Sequence, residues 1–140
     1  MSYFSGFSLC NITDKFVFAI GGRGAYFNQG VDSSVVPLGQ SDRYDVANNK
    51  WEHIAGMAGP YLPATCAIGE IVYVFGGLEG KAMYASDSIM KLSDVMGPVE
   101  DIGIDYVQVG ESGLSINACF NPAVTQLNHT EILVIGGQPN

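Results

Sequence analysis

Two glycine-rich stretches have nearly the spacing of phosphate-binding loops, and each departs from its motif at a residue that the chemistry needs. Gly22 and Gly24 follow an apolar run, as in the dinucleotide motif G-x-G-x-x-G, but Phe27 occupies the third glycine position. Residues 76–81 end in Gly-Lys one residue too early for a P-loop, and Ala82 stands where a Ser or Thr would hold magnesium. We predict a loop at the first stretch, a turn at the second, and no nucleotide or other cofactor.

Four carboxylates and one histidine are the candidates for general acid and base chemistry. They are Asp42, Asp45, Glu52, Asp87 and His53. Asp42 and Asp87 both precede the third strand of a repeated unit, and this shared position favours a structural role in a turn. His53 follows a tryptophan on an outer strand, where an exposed histidine without a catalytic role is expected. No Ser, His and Asp set forms a local motif, so no catalytic residue is predicted.

The three cysteines are better explained by packing than by metal or redox chemistry. Cys10, Cys66 and Cys119 each precede an apolar run that ends in a glycine pair, at places that we interpret as equivalent. A cysteine in such a strand behaves as a small buried hydrophobic residue. His53 and His129 are the only histidines, and neither has C-x-x-C or H-x-x-x-H spacing, so no metal site is predicted.

Charge and hydropathy narrow the classes of partner. Six basic and fourteen acidic residues give a net charge of -8, which repels phosphate backbones and anionic lipid, so neither nucleic acid nor a membrane is expected as a partner. Apolar residues make up 47% and charged residues 14% of the chain, which favours a folded protein. Residues 1–10 lack the basic segment and apolar run of a signal peptide, so a cytoplasmic location is expected.

Three apolar runs that end in a glycine pair organise the rest of the chain. They are residues 16–22, 71–77 and 132–137. Their first glycines lie 55 and 60 residues apart, close to the roughly 50-residue period of one class of propeller repeat. Runs of β-branched and aromatic residues bounded by turn residues predict strands. We therefore predict a tandem repeat of β-rich units.

Turn chemistry between these runs predicts four antiparallel strands in each complete unit. In the first unit the predicted strands are 7–10, 16–20, 42–46 and 51–54, with an Asn-rich turn at Asn48 and Asn49. In the second unit they are 62–68, 71–75, 87–92 and 99–102, with a tight turn at Gly69. The third unit is incomplete, with a strand at 115–120, a polar turn at Asn128 and His129, and a final run from 132.

The pattern resembles kelch repeats, in which an apolar strand ends in Gly-Gly and is followed by a Tyr and then a Trp. The residues that carry the resemblance are Gly21, Gly22, Tyr44, Trp51, Gly76, Gly77, Gly136 and Gly137. In the second unit, Ile89 is interpreted as standing at the Tyr position and Met96 at the Trp position. The resemblance implies an all-β fold, a fragment of a kelch-type β-propeller with four-stranded antiparallel blades. It spans residues 1–140, with blades at 7–58 and 61–104 and an incomplete blade at 114–140.

The packing of blades in a propeller explains these residue types, but the chain has too few predicted blades to close a propeller. Glycine pairs suit strand ends in close backbone contact, and Tyr44 and Trp51 are expected to supply large buried faces. Propellers close with roughly four to eight blades, whereas this chain carries about two and a half. We hypothesise that it is part of a larger propeller, completed by missing blades of a longer chain or by another protein.

In a propeller of this type, the loops that join strand two to strand three and each blade to the next emerge on one face. On that face we place the loops 23–40, 55–61, 78–85 and 103–114. They carry Arg23, Tyr26, Phe27, Tyr61, Tyr84 and Tyr106, which are the predicted partner-binding residues. Aromatic residues are enriched at protein interfaces. The alternative is that several of these tyrosines pack inward against their own loops.

The family resemblance implies a protein-interaction module, an adaptor or scaffold without catalytic activity. Kelch adaptors that grip acidic peptides use several arginines on the loop face, whereas Arg23 is the only one here, which favours a neutral or basic partner. The alternative is part of a propeller enzyme whose catalytic residues lie outside this chain. Some kelch propellers are copper oxidases with Tyr and His ligands, and the two histidines of this chain match no such pattern.

Overall fold

The computed structural model describes residues 2–26, 35–36, 41–57, 59–79, 84–107 and 117–139. The described fold is all-β, and its paired strands run antiparallel. In chain order, the strands are β1 (Ser2–Ser5), β2 (Ser8–Ile12), β3 (Phe16–Ile20), β4 (Arg23–Tyr26), β5 (Val35–Val36), β6 (Asp42–Asp45), β7 (Lys50–His53), β8 (Ala64–Ile68), β9 (Ile71–Phe75), β10 (Leu78–Glu79), β11 (Tyr84–Ala85), β12 (Ile89–Ser93), β13 (Gly103–Tyr106), β14 (Ala123–Gln126) and β15 (Ile132–Ile135). Within these described ranges, no helix is long and apolar enough to cross a membrane.

The first four-stranded sheet has the order β2-β3-β6-β7, as the sequence predicts for the first unit. The Asn-rich turn between β6 and β7 is closed by Asp45, whose carboxylate accepts hydrogen bonds from the Asn48 backbone N–H at 3.3 Å and side-chain amide at 2.7 Å. Asn49 takes a φ of 50°, which asparagine tolerates better than most residues. These local bonds set the register in which Tyr44 lies opposite Trp51.

The second four-stranded sheet has the order β8-β9-β12-β13 and begins with the predicted tight turn, where Gly69 has a φ of 58°. The prediction of a strand at 99–102 is wrong. Val99–Asp101 forms a 3-10 turn that follows Pro98, and the fourth strand is β13. The ring of Pro98 fixes its φ near -56°, and its carbonyl accepts a hydrogen bond from the Asp101 N–H at 3.0 Å, which closes a turn where a strand was expected.

The third unit is the two-stranded hairpin β14-β15, which turns at residues 128–130 as predicted. The prediction of its first strand at 115–120 is wrong: residues 115 and 116 lie outside the described residues, and Cys119 and Phe120 form only isolated bridges. Asn121 has a φ of 54° and Pro122 follows it, so the extended pairing begins only at β14. Cys119 is therefore not equivalent to Cys10 and Cys66.

Short ribbons of strand occupy two regions that were predicted to be loops. Strand β4 continues directly from Gly21 and Gly22 and pairs with β1 on one side and β5 on the other. Strands β10 and β11 form a ribbon just after Gly76 and Gly77. The predicted loops 23–40 and 78–85 are therefore partly strands in the described part of the chain. Their glycine content concealed the pairing.

The register of the two sheets corrects the equivalences drawn from sequence spacing. Val17 pairs with Tyr44, which pairs with Trp51. The corresponding row of the second sheet is Val72, Leu92 and Ile104. Leu92 and Ile104 therefore occupy the Tyr and Trp positions, and the assignment of Ile89 and Met96 to them is wrong, because the two connecting loops differ in length. By the same register Asp42 corresponds to Met90, so Asp42 and Asp87 are not equivalent.

The core lies between the two four-stranded sheets, which pack face to face. The first sheet and the segment after it contribute Ile12, Phe18, Ile20, Ile54 and Met57, and the second sheet and the segment after it contribute Val72, Val74, Met90, Leu92 and Val95. All ten side chains are buried. Since alternate residues of a strand point to opposite faces, each sheet also has a second face directed away from this core.

Candidate interaction surfaces

Each of the first two glycine pairs lies against the backbone of the following unit. Gly21 has a φ of 74°, and a Cβ on it would collide with the carbonyl oxygen of Pro60. Gly76 has a φ of 60°, and a Cβ on it would lie 2.5 Å from the carbonyl oxygen of Cys119. These two positions require glycine both for the left-handed conformation and for the close approach. These contacts agree with the expected role of the glycine pairs, which is to allow close backbone contact at the ends of strands.

The second glycine of each pair donates a hydrogen bond across the same junction. The Gly22 N–H bonds the Pro60 carbonyl at 3.0 Å, and the Gly77 N–H bonds the Cys119 carbonyl at 2.8 Å. Pro60 and Cys119 therefore hold the same place in successive units, although their side chains have nothing in common. The same backbone contact therefore joins the first unit to the second and the second unit to the third.

The first strands of the three units lie side by side in chain order, with β2 beside β8 and β8 beside β14. A second repeated contact holds them together. The Leu62 N–H donates to the Gly6 carbonyl at 2.8 Å, and the Asn121 N–H donates to the Leu62 carbonyl at 2.7 Å. All three residues have a positive φ, between 54° and 68°. A residue in the left-handed conformation thus precedes the first strand of each unit, and in the second and third units it donates to its counterpart in the unit before.

Arg43 ties the two sheets together, and sequence reasoning missed it. Its side chain is 3% exposed, and the guanidinium donates to Glu52 Oε2 from Nε at 2.9 Å and from Nη2 at 2.7 Å. Its Nη1 donates to the carbonyls of Val95, at 2.8 Å, and Gly97, at 2.5 Å, in the second unit. The guanidinium carbon also lies 4.2 Å from the centroid of the Phe16 ring. Strand alternation, which places Arg43 on the core face with Phe18, was the available signal.

The predicted partner-binding residues of the first unit lie at its ribbon. Arg23 and Tyr26 are the first and last residues of β4. Phe27 lies outside the described residues. Strand β4 starts immediately after the glycine pair, so the backbone of Arg23 lies next to the junction at which the first and second units meet.

Tyr61 and Tyr84 belong to one ribbon of the second unit. Tyr61 is half-buried and bridges Leu78 through two backbone hydrogen bonds, at 3.0 and 2.7 Å. Its ring lies over Gly6, where any Cβ would overlap it, so Tyr61 packs against the segment that enters the first unit and not against its own loop. Tyr84 is exposed on β11 opposite Glu79.

Tyr106 is the last residue of β13, the outermost strand of the second sheet, and its side chain is exposed. Its predicted position in a loop is wrong because the fourth strand starts later than expected. It lies opposite Met90, near the end of the sheet at which β12 begins. Among the described side chains of the predicted set, Tyr84 and Tyr106 are thus the two that project into solvent.

The outer face of the first sheet is apolar and open. We call Leu9, Val17, Ala19, Tyr44 and Trp51 the open face of the first sheet; together they line a shallow cavity of about 480 Å³. Leu9 is 57% and Trp51 56% exposed, so the prediction that Trp51 supplies a buried face is wrong. The centroid of its ring lies 5.1 Å from that of Tyr44, whose hydroxyl donates to Asn49 Oδ1. No described segment of the chain covers this face.

The hairpin at the other end of the molecule presents a second apolar face. Leu133 is 40% and Ile135 is 54% exposed, and we call this pair the open face of the hairpin. The opposite side of the hairpin, with Ile132 and Val134, faces the second sheet across a cavity that Tyr73 and Phe75 also line. The described chain therefore has one internal interface between full sheets and an uncovered apolar face at each end.

The titratable side chains of the described residues were compared with the requirements of a metal site. No group of three His, Cys, Asp or Glu side chains there is placed to hold a metal ion. Burial raises the pKa of the Cys10 thiol to about 11 and also raises the pKa values of Cys66 and Cys119, which disfavours the reactive thiolate. His53 is exposed, with Nδ1 3.2 Å from Asp42 Oδ1.

Comparison with known proteins adds no family to these observations. No protein-family model matches the chain, and the curated proteins contain no match. The resemblance to kelch repeats therefore stays a prediction from the sequence, based on the glycine pairs and on Tyr44 and Trp51.

Proposed function

We propose that the chain is a segment of a kelch-type β-propeller that acts as a non-catalytic protein-interaction module. The observation that carries the proposal is the repeated junction, in which a glycine N–H at the end of one unit's second strand bonds the backbone that enters the next unit. Successive β-sheets that share one such junction and lie with their first strands side by side are what a propeller requires. The proposed units span 7–58, 61–104 and 114–140.

We place the partner-binding surface at the ribbons that follow the glycine pairs. Tyr84 is exposed there, and Arg23 and Tyr26 lie on the corresponding ribbon of the first unit. A tyrosine offers a large rigid contact area and a hydroxyl, so few such residues supply much of the binding energy of an interface. The net charge of -8 favours a neutral or basic partner segment. Three cysteines in the free thiol form suit the reducing cytoplasm, where we place the module.

The proposal is tested by partner capture with matched surface variants. Tyr84→Ala and the double variant Tyr26→Ala with Phe27→Ala are expected to lose a partner that the wild-type chain captures. Leu127→Ala removes another apolar side chain that is more than half exposed, at the hairpin turn and away from the ribbons, and is expected to retain the partner. Circular dichroism confirms that each variant is folded. Capture that survives both ribbon changes would remove this surface from the proposed function.

A further inference from the structure

The open face of the first sheet has a covered counterpart within the same molecule. In register, Val17, Ala19 and Tyr44 correspond to Val72, Val74 and Leu92 of the second sheet. Those three residues are at most 1% exposed because the first sheet packs on them. The open face of the first sheet therefore corresponds to a face that another unit of the same repeat covers.

The residues that cover the second sheet also have counterparts in the same molecule. The first sheet covers it with Phe18 and Ile20, both fully buried. Phe18 and Ile20 lie three and one positions before the first glycine of their pair. The hairpin residues three and one positions before Gly136 are Leu133 and Ile135, which are exposed. One end of the chain therefore carries the covering face of the repeated interface, and the other end carries the face to be covered.

The backbone at the two ends is complementary in the same way. Gly136 has the φ of Gly21 and Gly76, at 70°, but a Cβ on it would meet no described atom within 4 Å, whereas theirs would meet a carbonyl. The register places Phe4 of a following unit where Pro60 and Cys119 stand, so the Gly137 N–H would bond the Phe4 carbonyl. The Asn121 carbonyl would likewise accept a hydrogen bond from the Gly6 N–H of a following unit. Within the chain, the Gly6 carbonyl accepts from Leu62 and the Leu62 carbonyl accepts from Asn121 in the same way.

We propose that this chain self-associates head to tail, with the β14-β15 hairpin of one copy packing Leu133 and Ile135 on the Leu9 and Ala19 part of the first sheet of the next copy. The proposal rests on the repeat that underlies the proposed function, but not on the partner-binding ribbons. The contact joins two different surfaces, so each copy uses both ends, and association continues until a ring closes. The net charge of -8 on each copy opposes association, so added salt strengthens it.

The test uses two single variants of the full chain and their mixture. Sedimentation equilibrium of the wild type, from low to several hundred micromolar, is expected to give a mass that rises above 14.9 kDa with concentration. Leu9→Asp and Ile135→Asp each place a charge on one open face, at a side chain more than half exposed, so each folds and stays monomeric. An equimolar mixture of the two restores association to a dimer, about twice the monomer mass, because each variant keeps the face that the other lacks.

Two controls separate this contact from other surfaces. Leu127→Asp, at an exposed apolar side chain of the hairpin turn, and Tyr84→Ala, at the partner-binding ribbon, are expected to associate like the wild type. Loss of partner capture by Tyr84→Ala with unchanged self-association would keep the two proposals distinct. A wild-type mass that stays at 14.9 kDa throughout overturns the head-to-tail contact, as do association that survives Leu9→Asp and a variant mixture that remains monomeric.

Discussion

Single residues at the junction determine whether two units can pack, and Arg43 is the most heavily bonded of them. It is buried beside Glu52 and satisfies two carbonyl oxygens of the second unit. A buried ion pair adds little relative to apolar residues, but removal of one partner leaves the other groups unsatisfied. We expect Arg43→Ala to lower the free energy of unfolding by about 2–4 kcal/mol, measured by urea denaturation.

A conservative substitution separates the contribution of the guanidinium group to stability from that of its positive charge. Arg43→Lys keeps a positive charge but loses the fork that reaches Glu52 and the second unit together, so an intermediate loss is expected. Equal stability of the Ala variant and the wild type would show that the Arg43 contacts do not hold the sheets together.

The first glycine of each pair allows two costs of a substitution to be compared, the left-handed backbone conformation and the collision with the next unit. Gly21, Gly76 and Gly136 share a left-handed φ, so an alanine at any of them costs about 1–2 kcal/mol in conformation. Only Gly21 and Gly76 lie against a carbonyl of the next unit. We expect Gly21→Ala and Gly76→Ala to destabilise a dilute sample by several kcal/mol more than Gly136→Ala does. Equal losses at all three in thermal or urea unfolding would mean that the close contact is absent.

The partly buried Cys10 thiol gives a pH dependence of stability. Burial raises its pKa from 9.0 to about 11, so the folded state holds this proton over a range in which the unfolded state has lost it. The contribution of the neutral thiol is fully present below about pH 9 and is lost as the pH rises toward 11. Between these limits the wild type should lose about 1–2 kcal/mol more stability than Cys10→Ala, measured by urea midpoints. Parallel pH profiles for the two proteins would contradict this.

At the scale of the strand and hairpin, the three units differ in how completely they are covered. Strands β3 and β9 are flanked by hydrogen-bonded strands on both sides, and residues of both lie in the core, whereas β14 and β15 pair with each other alone among the described strands. A two-stranded hairpin is only marginally stable without packing. We expect hydrogen exchange in a dilute sample to be slowest in β3 and β9 and fastest in β14 and β15.

The same hydrogen-exchange measurement at high protein concentration provides the control. Head-to-tail association covers Leu133 and Ile135, so protection of β15 should increase in a concentrated sample of the wild type but not of Ile135→Asp. Protection of the hairpin equal to that of β9 in dilute solution would contradict this ranking of the units.

Much of this element structure was predictable because its signals are local. Apolar runs and turn residues identify β3, β9 and β15, and the asparagines and Gly69 mark their turns. The failures arise where pairing is not local. The turn after Pro98 displaced the fourth strand of the second unit, and the third unit's first strand starts only after Pro122. The equivalence of Leu92 with Tyr44 depends on register, which loops of different length conceal.

The candidate surfaces were predictable only in part. Tyr84 is exposed in a region that was predicted to be a surface loop, but the packing of Tyr61 on Gly6 requires the neighbouring unit. The expectation that Trp51 is buried assumes a unit on its outer side, and no described segment lies there. Arg43 could not be singled out because its carbonyl partners are in another unit, far along the chain.

At the scale of the whole molecule, the described chain has one full interface between sheets and an open apolar face at each end. Leu9 and Trp51 at one end and Ile135 at the other are more than half exposed. Exposed apolar patches of this kind usually mark interaction sites. The propeller account therefore requires that a further unit cover these faces, either from a longer chain or from another molecule.

The mass of the native protein in its source, measured both denatured and under native conditions, tests this requirement most directly. The account predicts a native mass well above 14.9 kDa. A larger denatured mass would assign the covering units to a longer chain, and a denatured mass of 14.9 kDa with a larger native mass would assign them to further copies or a partner. A stable, soluble monomer of 14.9 kDa would contradict the account, because both open faces would then persist uncovered in water.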